Sequence, residues 1–465
     1  MGRRWILLVS LGIYVASMQY LAKADLPAIF IFGDSIADVG TNNFLKSLAR
    51  ANYPYHGIDF PNSKPTGRFS NGYHTIDFIA KQFGYNSSPP PFLSLLQHNL
   101  SFKSNILRGV NFASAGAGIL DPTGIQLYVS FSHSFLVFFK VGMIVGRKYI
   151  SQNEYAHIRV PLYVRICQKI MFLQFLWPFL LKEFIKKVQE AGIEEKLVTH
   201  PWDVVSLRDQ IKQFETVCGN ITEVLGASKG NSLLSNSLYL ITIGSNDIFD
   251  YQHSLRSRAI PPQTFLATLH DTCQPFEVTQ SIYYQHNDLE FESQTILIYT
   301  MVEDLYNLGA RKFGIISVPP IGCCPFQRFL KRSEDGGCFE ELNNLAQAFY
   351  DAIRDVLTNF STEFVEVKYS FGNAYAMTTS IIHNPLTFGF KEIKTACCGN
   401  GTFNGEEECN PNSKLCPNRD DYLFWDWFHP TEAASELAAL TLYGGGNEFV
   451  TPMNLSQLAT IPIGI

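Results

Sequence analysis

Four short segments carry residue types that together could attack a carbonyl. In AIFIFGDSIADVGTNN (residues 28–43), apolar, strand-like residues run into Gly33, Asp34 and Ser35, with Asp38 and Gly40 following. A serine hydroxyl is a weak nucleophile until a base takes its proton, and the base itself needs an orienting partner. DWFHP (426–430) offers that pair within one turn: Asp426 lies three residues before His429, and Pro430 biases His429 toward an extended backbone. The negative oxygen formed by such an attack needs donors aimed at it. GVNFASAGAGIL (109–120) supplies a backbone amide at Gly116, preferred here to Gly118, and GSND (244–247) supplies the side-chain amide of Asn246. With the amide of Ser35 itself, that makes a three-donor oxyanion hole.

Each segment also has a plainer reading. Ser35 could simply cap a helix, because its hydroxyl can satisfy free amides there. GSND alone is a turn sequence, the Gly/Ala run alone is close packing, and Asp-x-x-His-Pro alone is a capping loop. The joint reading rests on their order and context, with three of the four directly after strand-like runs. No P-loop or H-E-x-x-H competes with it.

The elements that must position these residues alternate. AIFIF (28–32), GVNFAS (109–114), LYLITIG (238–244) and KFGIISV (312–318) are short apolar runs of the kind that form buried parallel strands. Between and after them, 74–84, 340–360 and 431–446 carry apolar residues at helical spacing, and the last ends in glycines. Strands alternating with helices make a parallel sheet covered on both faces, with functional groups at the carboxyl ends of the strands.

Composition sets the remaining bounds. With 46% hydrophobic and 17% charged residues over 465 positions, the chain can bury a sizeable core. A net charge of −6 argues against nucleic acid or an anionic membrane surface as partner. Residues 1–24 read as a secretory signal peptide: MGRR, then an apolar stretch at 5–18, then Ala22-Lys23-Ala24. That stretch is short for a membrane span, so no stable membrane insertion is expected after cleavage, and residues 25–465 form the mature chain. Sequons at Asn86, Asn99, Asn220, Asn359, Asn400 and Asn454 fit a secreted, extracellular or cell-wall protein carrying N-glycans. Cys397, Cys398, Cys409 and Cys416 lie in a Gly- and Asn-rich stretch without histidine, which reads as a disulfide-stapled loop rather than a zinc site.

FGDSIADVGTNN, NFASAGAGI, GSND and DWFHP, with RKFGIISVPPIGCCP (311–325), resemble the blocks of the plant GDSL esterase/lipase family within the SGNH hydrolase superfamily. The resemblance covers about 25–127, 204–270 and 302–465. It implies a flavodoxin-like three-layer α/β/α sandwich with a mostly parallel sheet of about five strands. It further implies Ser35 as nucleophile, His429 as base and then acid, Asp426 as its orienter, and Gly116 and Asn246 in the oxyanion hole, with no metal or cofactor. Segments 128–203 and 271–301 depart from the family pattern and read as insertions or as retained intron sequence. Removing them also removes Cys167 and Cys273, leaving an even eight cysteines. The expected activity is cleavage of a small-molecule or lipid ester by acyl transfer. Two alternatives stay open: deacetylation of wall polysaccharide by the same triad, and a silent glycoprotein whose site the insertions disrupt.

Overall fold

The computed structural model describes residues 26–97, 102–121, 123, 203–253, 292–332 and 336–463. Two compact units divide the chain, residues 1–127 with 204–465 and residues 128–203, and the elements below all belong to the first. The expected signal peptide, the segment 128–202 and residues 271–291 lie outside the described residues. Residues 292–301 form one continuous helix with 302–307, and Met301, Val302 and Leu305 along it are buried.

The core is a six-stranded sheet. In chain order its strands are β1 (Ile29–Gly33), β2 (Gly109–Asn111), β3 (Leu238–Thr242), β4 (Lys312–Ile316), β5 (Lys368–Gly372) and, after the two-stranded ladder of β6 (Cys398–Gly399) and β7 (Lys414–Leu415), β8 (Val450–Thr451). Their spatial order is β2-β1-β3-β4-β5-β8. The first five are parallel, with Ile29 opposite both Gly109 and Leu238, and β8 runs antiparallel against β5. The expected parallel five are therefore present, and a two-residue edge strand makes the sixth. Neither β5 nor β8 stands out in the sequence: β5 reads KYSFG, with its first two residues half-buried, and β8 is too short to show a period.

Alternation along the strands sends apolar side chains to both faces. Ile29, Ile31, Leu238 and Leu240 pack with Ile76 and Ile79 of helix α1 (Thr75–Gln82) and with Leu442 of the later helix Glu432–Gly444. Phe30, Phe32, Tyr239 and Phe313 point the other way. There Phe214 of α2 (Leu207–Leu225) lies 5.0 Å from Phe30 and 5.5 Å from Tyr239 between ring centroids. Each such ring removed from water contributes about 1.5–3 kcal/mol. Helices α3 (Ala227–Asn236), α4 (Ser245–His253), α5 (Glu292–Asn307), α6 (Pro325–Lys331), α7 (Glu340–Glu363), α8 (Ala374–His383), α9 (Glu432–Gly444) and α10 (Leu455–Thr460) complete the layers. The result is a three-layer α/β/α sandwich.

Among the described residues three disulfides are formed: Cys323–Cys338, Cys397–Cys416 and Cys398–Cys409. The four cysteines of the Gly- and Asn-rich stretch thus staple one lobe against β6 and β7. Of the eight cysteines outside the two departing segments, Cys218 and Cys324 are buried free thiols, and burial pushes each up to about 12. A thiol held there is unreactive at neutral pH. Among the described residues no helix is long and apolar enough to cross a membrane.

Candidate active site

β1 ends two residues before Ser35. Gly33 has φ +154°, and a Cβ there would sit on the carbonyl of Thr242 in β3, so only glycine permits this approach. Its peptide is gripped by a residue that sequence reasoning missed. Gln210 of α2 is fully buried; it accepts from Gly33 N–H at 2.9 Å and donates to Gly33 O at 2.9 Å. The available signal was a glutamine in register with Leu207, Phe214 and Val217 on the buried face of an amphipathic helix.

After Gly33 the chain makes a single helical turn, with Ala37 and Asp38 both donating to the carbonyl of Asp34. The plainer reading of this segment makes Ser35 a helix cap. The structure corrects that reading: Asp34 Oδ1 accepts from Ile36 N–H at 3.0 Å, and no long helix follows. Ser35 Oγ instead lies 2.8 Å from His429 Nε2. Two adjacent side chains divide the work because Asp34 is buried under the turn, while half-buried Ser35 faces His429.

His429 is fixed from its other side. Nδ1 lies 2.8 Å from Asp426 Oδ1 and 2.9 Å from Oδ2, and Oδ1 also accepts the backbone N–H groups of Phe428 and His429. A carboxylate can only accept, so the ring proton sits on Nδ1 and Nε2 is left to accept from Ser35. Phe69 lies against the imidazole with centroids 4.8 Å apart. Burial pushes the Asp426 carboxyl up, but the His429 charge, its hydrogen bond, the nearby His56 and the Phe428 amide outweigh it and hold Asp426 below its usual range. Two residues beyond His429, Thr431 caps α9 by accepting from Ala434 N–H.

Gly116 and Asn246 come together through buried carboxylates. Asp38 accepts from Gly40 and Thr41 with Oδ1 and from Ala115 with Oδ2, joining the turn after β1 to the glycine-rich loop after β2. Asp247 opens α4 and accepts from Ile119, Leu120 and the Thr123 hydroxyl, joining that loop to the helix that carries Asn246. Asn246 Nδ2 donates to Ala117 O at 2.8 Å, which leaves its second amide proton for another acceptor. Gly116 has φ +87°, a conformation that favours glycine. Gly118 has a packing reason to be glycine: a Cβ there would strike Thr123 and Asp247. Burial raises Asp38, Asp247 and Asp34, the last to about 7, against the opposing pull of backbone amides.

All five expected site residues thus lie at or just beyond the carboxyl ends of β1, β2 and β3 or in the turn before α9. A match to the family described as GDSL-like lipase/acylhydrolase runs over residues 29–442 and takes in all four segments. The chain belongs to that family. A GDSL esterase/lipase of Arabidopsis thaliana is 30% identical over 462 residues, covering 98% of this chain and 97% of its own. GDSL esterase/lipase LTL1 of the same plant is 30% identical over 450 residues, covering 97% of this chain and 94% of its own. This GDSL-family chain is accordingly a hydrolase of ester bonds, and its family agrees with the three-layer sheet seen here.

Proposed function

We propose that this hydrolase works by acyl transfer through Ser35, His429 and Asp426. The observation that carries the proposal is the continuous line from Ser35 Oγ through the imidazole to the Asp426 carboxylate, each step 2.8 to 2.9 Å. His429 Nε2 takes the Ser35 proton as Oγ bonds to the ester carbonyl carbon. The carbonyl oxygen becomes an anion held by the N–H groups of Ser35 and Gly116 and the free amide proton of Asn246. His429 returns the proton to the departing alcohol, and water then repeats the sequence to release the acid. Removing one oxyanion donor costs about 100- to 1000-fold in turnover. Asn246→Ala is expected to show that loss with its thermal melt little changed, and near-normal turnover would remove Asn246 from the role.

We infer an ester with an apolar arm as substrate. Between Asp426 and His429 stand Trp427 and Phe428, both only half-buried. Phe428 lies 5.0 Å from Phe249, one turn along α4 from Asn246, and 5.1 Å from Phe326 at the start of α6. Aromatic surface therefore joins the element carrying the base to the element carrying the oxyanion amide. The test is a panel of p-nitrophenyl esters from acetate to palmitate set beside acetylated xylan. Medium-chain esters are expected to be cleaved best. Phe428→Ala should lower kcat/KM for octanoate relative to acetate by about tenfold, the worth of roughly 50 Å² of lost apolar contact. Turnover confined to acetylated polysaccharide would make the chain a wall deacetylase instead. Three disulfides and the six sequons support export and N-glycosylation, which glycosidase treatment of the secreted protein tests by a fall in mass.

A further inference from the structure

A second polar cluster adjoins the Asp426–His429 pair and has no part in the acyl-transfer steps. His56 is 1% exposed, and its Nδ1 accepts the indole N–H of Trp425 at 3.1 Å. Burial pushes this imidazole down to about 4, so it is neutral at working pH, with its proton on the unpaired Nε2. Tyr53 stands edge-on to His56, centroids 5.1 Å apart, and its hydroxyl donates to Glu408 Oε1 at 2.9 Å. His56 also stands edge-on to Phe69, the ring that covers His429.

A second route leads to the same place. Glu408 precedes Cys409, which is bonded to Cys398, and the Cys398 N–H donates at 2.7 Å to the carbonyl of Trp425, the residue before Asp426. Glu408 is thus tied to the catalytic turn through aromatic rings on one side and through a disulfide on the other. Its neighbours on the lobe turn elsewhere: Glu406 accepts from Thr402, and Glu407 from Asn400. Among the described residues, the Tyr53 hydroxyl from the loop after β1 and the charges of Asp426 and His429 from the turn before α9 act on the Glu408 carboxyl, while His429 itself is also faced by His56 and by Asp34, whose carboxyl burial pushes up to about 7.

We propose that Glu408, held by Tyr53, is a charge-setting positioning residue that acts through His429, favouring the imidazolium that forms when Ser35 loses its proton. The proposal rests on the acyl-transfer reading above. Burial pushes Glu408 up to about 7, against the pull of the Tyr53 hydroxyl and His429 and with the push of Asp426. The carboxyl therefore changes charge within the range in which a histidine base operates. Linkage makes both consequences share one sign. A nearby anion stabilises the imidazolium of the transition state, which raises turnover. It equally stabilises the imidazolium of the resting enzyme, which moves the acid limb of activity to higher pH.

Glu408→Gln keeps an acceptor for Tyr53 and removes the charge. The test compares kcat and KM for a butyrate ester from pH 5 to pH 9, with fluorophosphonate labelling at pH 8 to count competent sites. Expected are full labelling, a plateau kcat about three- to tenfold lower, KM within twofold, and an acid limb moved to lower pH. A plateau and limb superimposable on the parent, or a limb moved to higher pH, overturns the proposal. Tyr53→Phe, which removes only the hydroxyl that favours the carboxylate, should move the limb the same way by less, and an unmoved limb there also counts against it. Loss of labelling in the parent protein would instead strike the acyl-transfer reading.

Discussion

Alanine at Ser35 is expected to lower ester turnover by about 10⁴- to 10⁶-fold, with the fold intact. The hydroxyl points at His429 Nε2, whereas the turn that carries it is held by other groups. Asp34 O accepts from Ala37 and Asp38, Asp34 Oδ1 from Ile36, and Gln210 grips the Gly33 peptide on both sides. Losing one half-buried hydroxyl leaves all of these in place. What remains is the weak catalysis that an oxyanion hole and binding can supply without a nucleophile. The measurement is the steady-state rate on a butyrate ester with a parallel thermal melt. More than a few per cent of parental activity, with an unchanged melt, would mean that the attacking group lies elsewhere.

Asp426→Asn is expected to cost about 10⁴-fold in kcat, although asparagine fills the same space. In the native turn Oδ1 accepts two backbone N–H groups, from Phe428 and His429. The amide oxygen of asparagine would keep those two bonds, which puts its NH₂ group where Oδ2 now meets His429 Nδ1 at 2.9 Å. A donor there forces the ring proton onto Nε2, and a protonated Nε2 cannot accept from Ser35. The imidazolium formed during reaction also loses its countercharge. A KM within a fewfold of the parent is expected alongside, because Asp426 is buried behind the imidazole and does not meet substrate. A fall of less than tenfold would show that Asp426 neither sets the tautomer nor stabilises the charge.

Most of the candidate site's arrangement was legible because its residues lie in short segments whose spacing carries local physics. Asp426 and His429 are three residues apart, so the turn that joins them needs no knowledge of the rest of the chain. Gly116 and Asn246 follow apolar runs, and the sheet brings strand ends together. Contacts between distant segments were not legible. Gln210 reaches Gly33 across 177 positions, and only its polarity on an apolar helix face gives it away. That Asp34 and not Ser35 takes the capping bond depends on a partner of Ser35 394 positions distant, which the local sequence does not show. The sequence reading likewise found a stapled loop without its pairing, since adjacent Cys397 and Cys398 can each take either partner. β5 escaped notice because KYSFG has no run of branched apolar residues: its first two positions are half-buried, and Phe371 is its one large buried apolar side chain.

The most direct test of the nucleophile is to treat the full-length protein with a fluorophosphonate and locate the adduct by peptide mass spectrometry. One phosphonyl group per chain is expected, on the peptide that contains Ser35, with none on the Ser35→Ala protein. An adduct on a different residue, or steady ester hydrolysis by a protein that takes no label, would contradict the Ser35–His429–Asp426 mechanism.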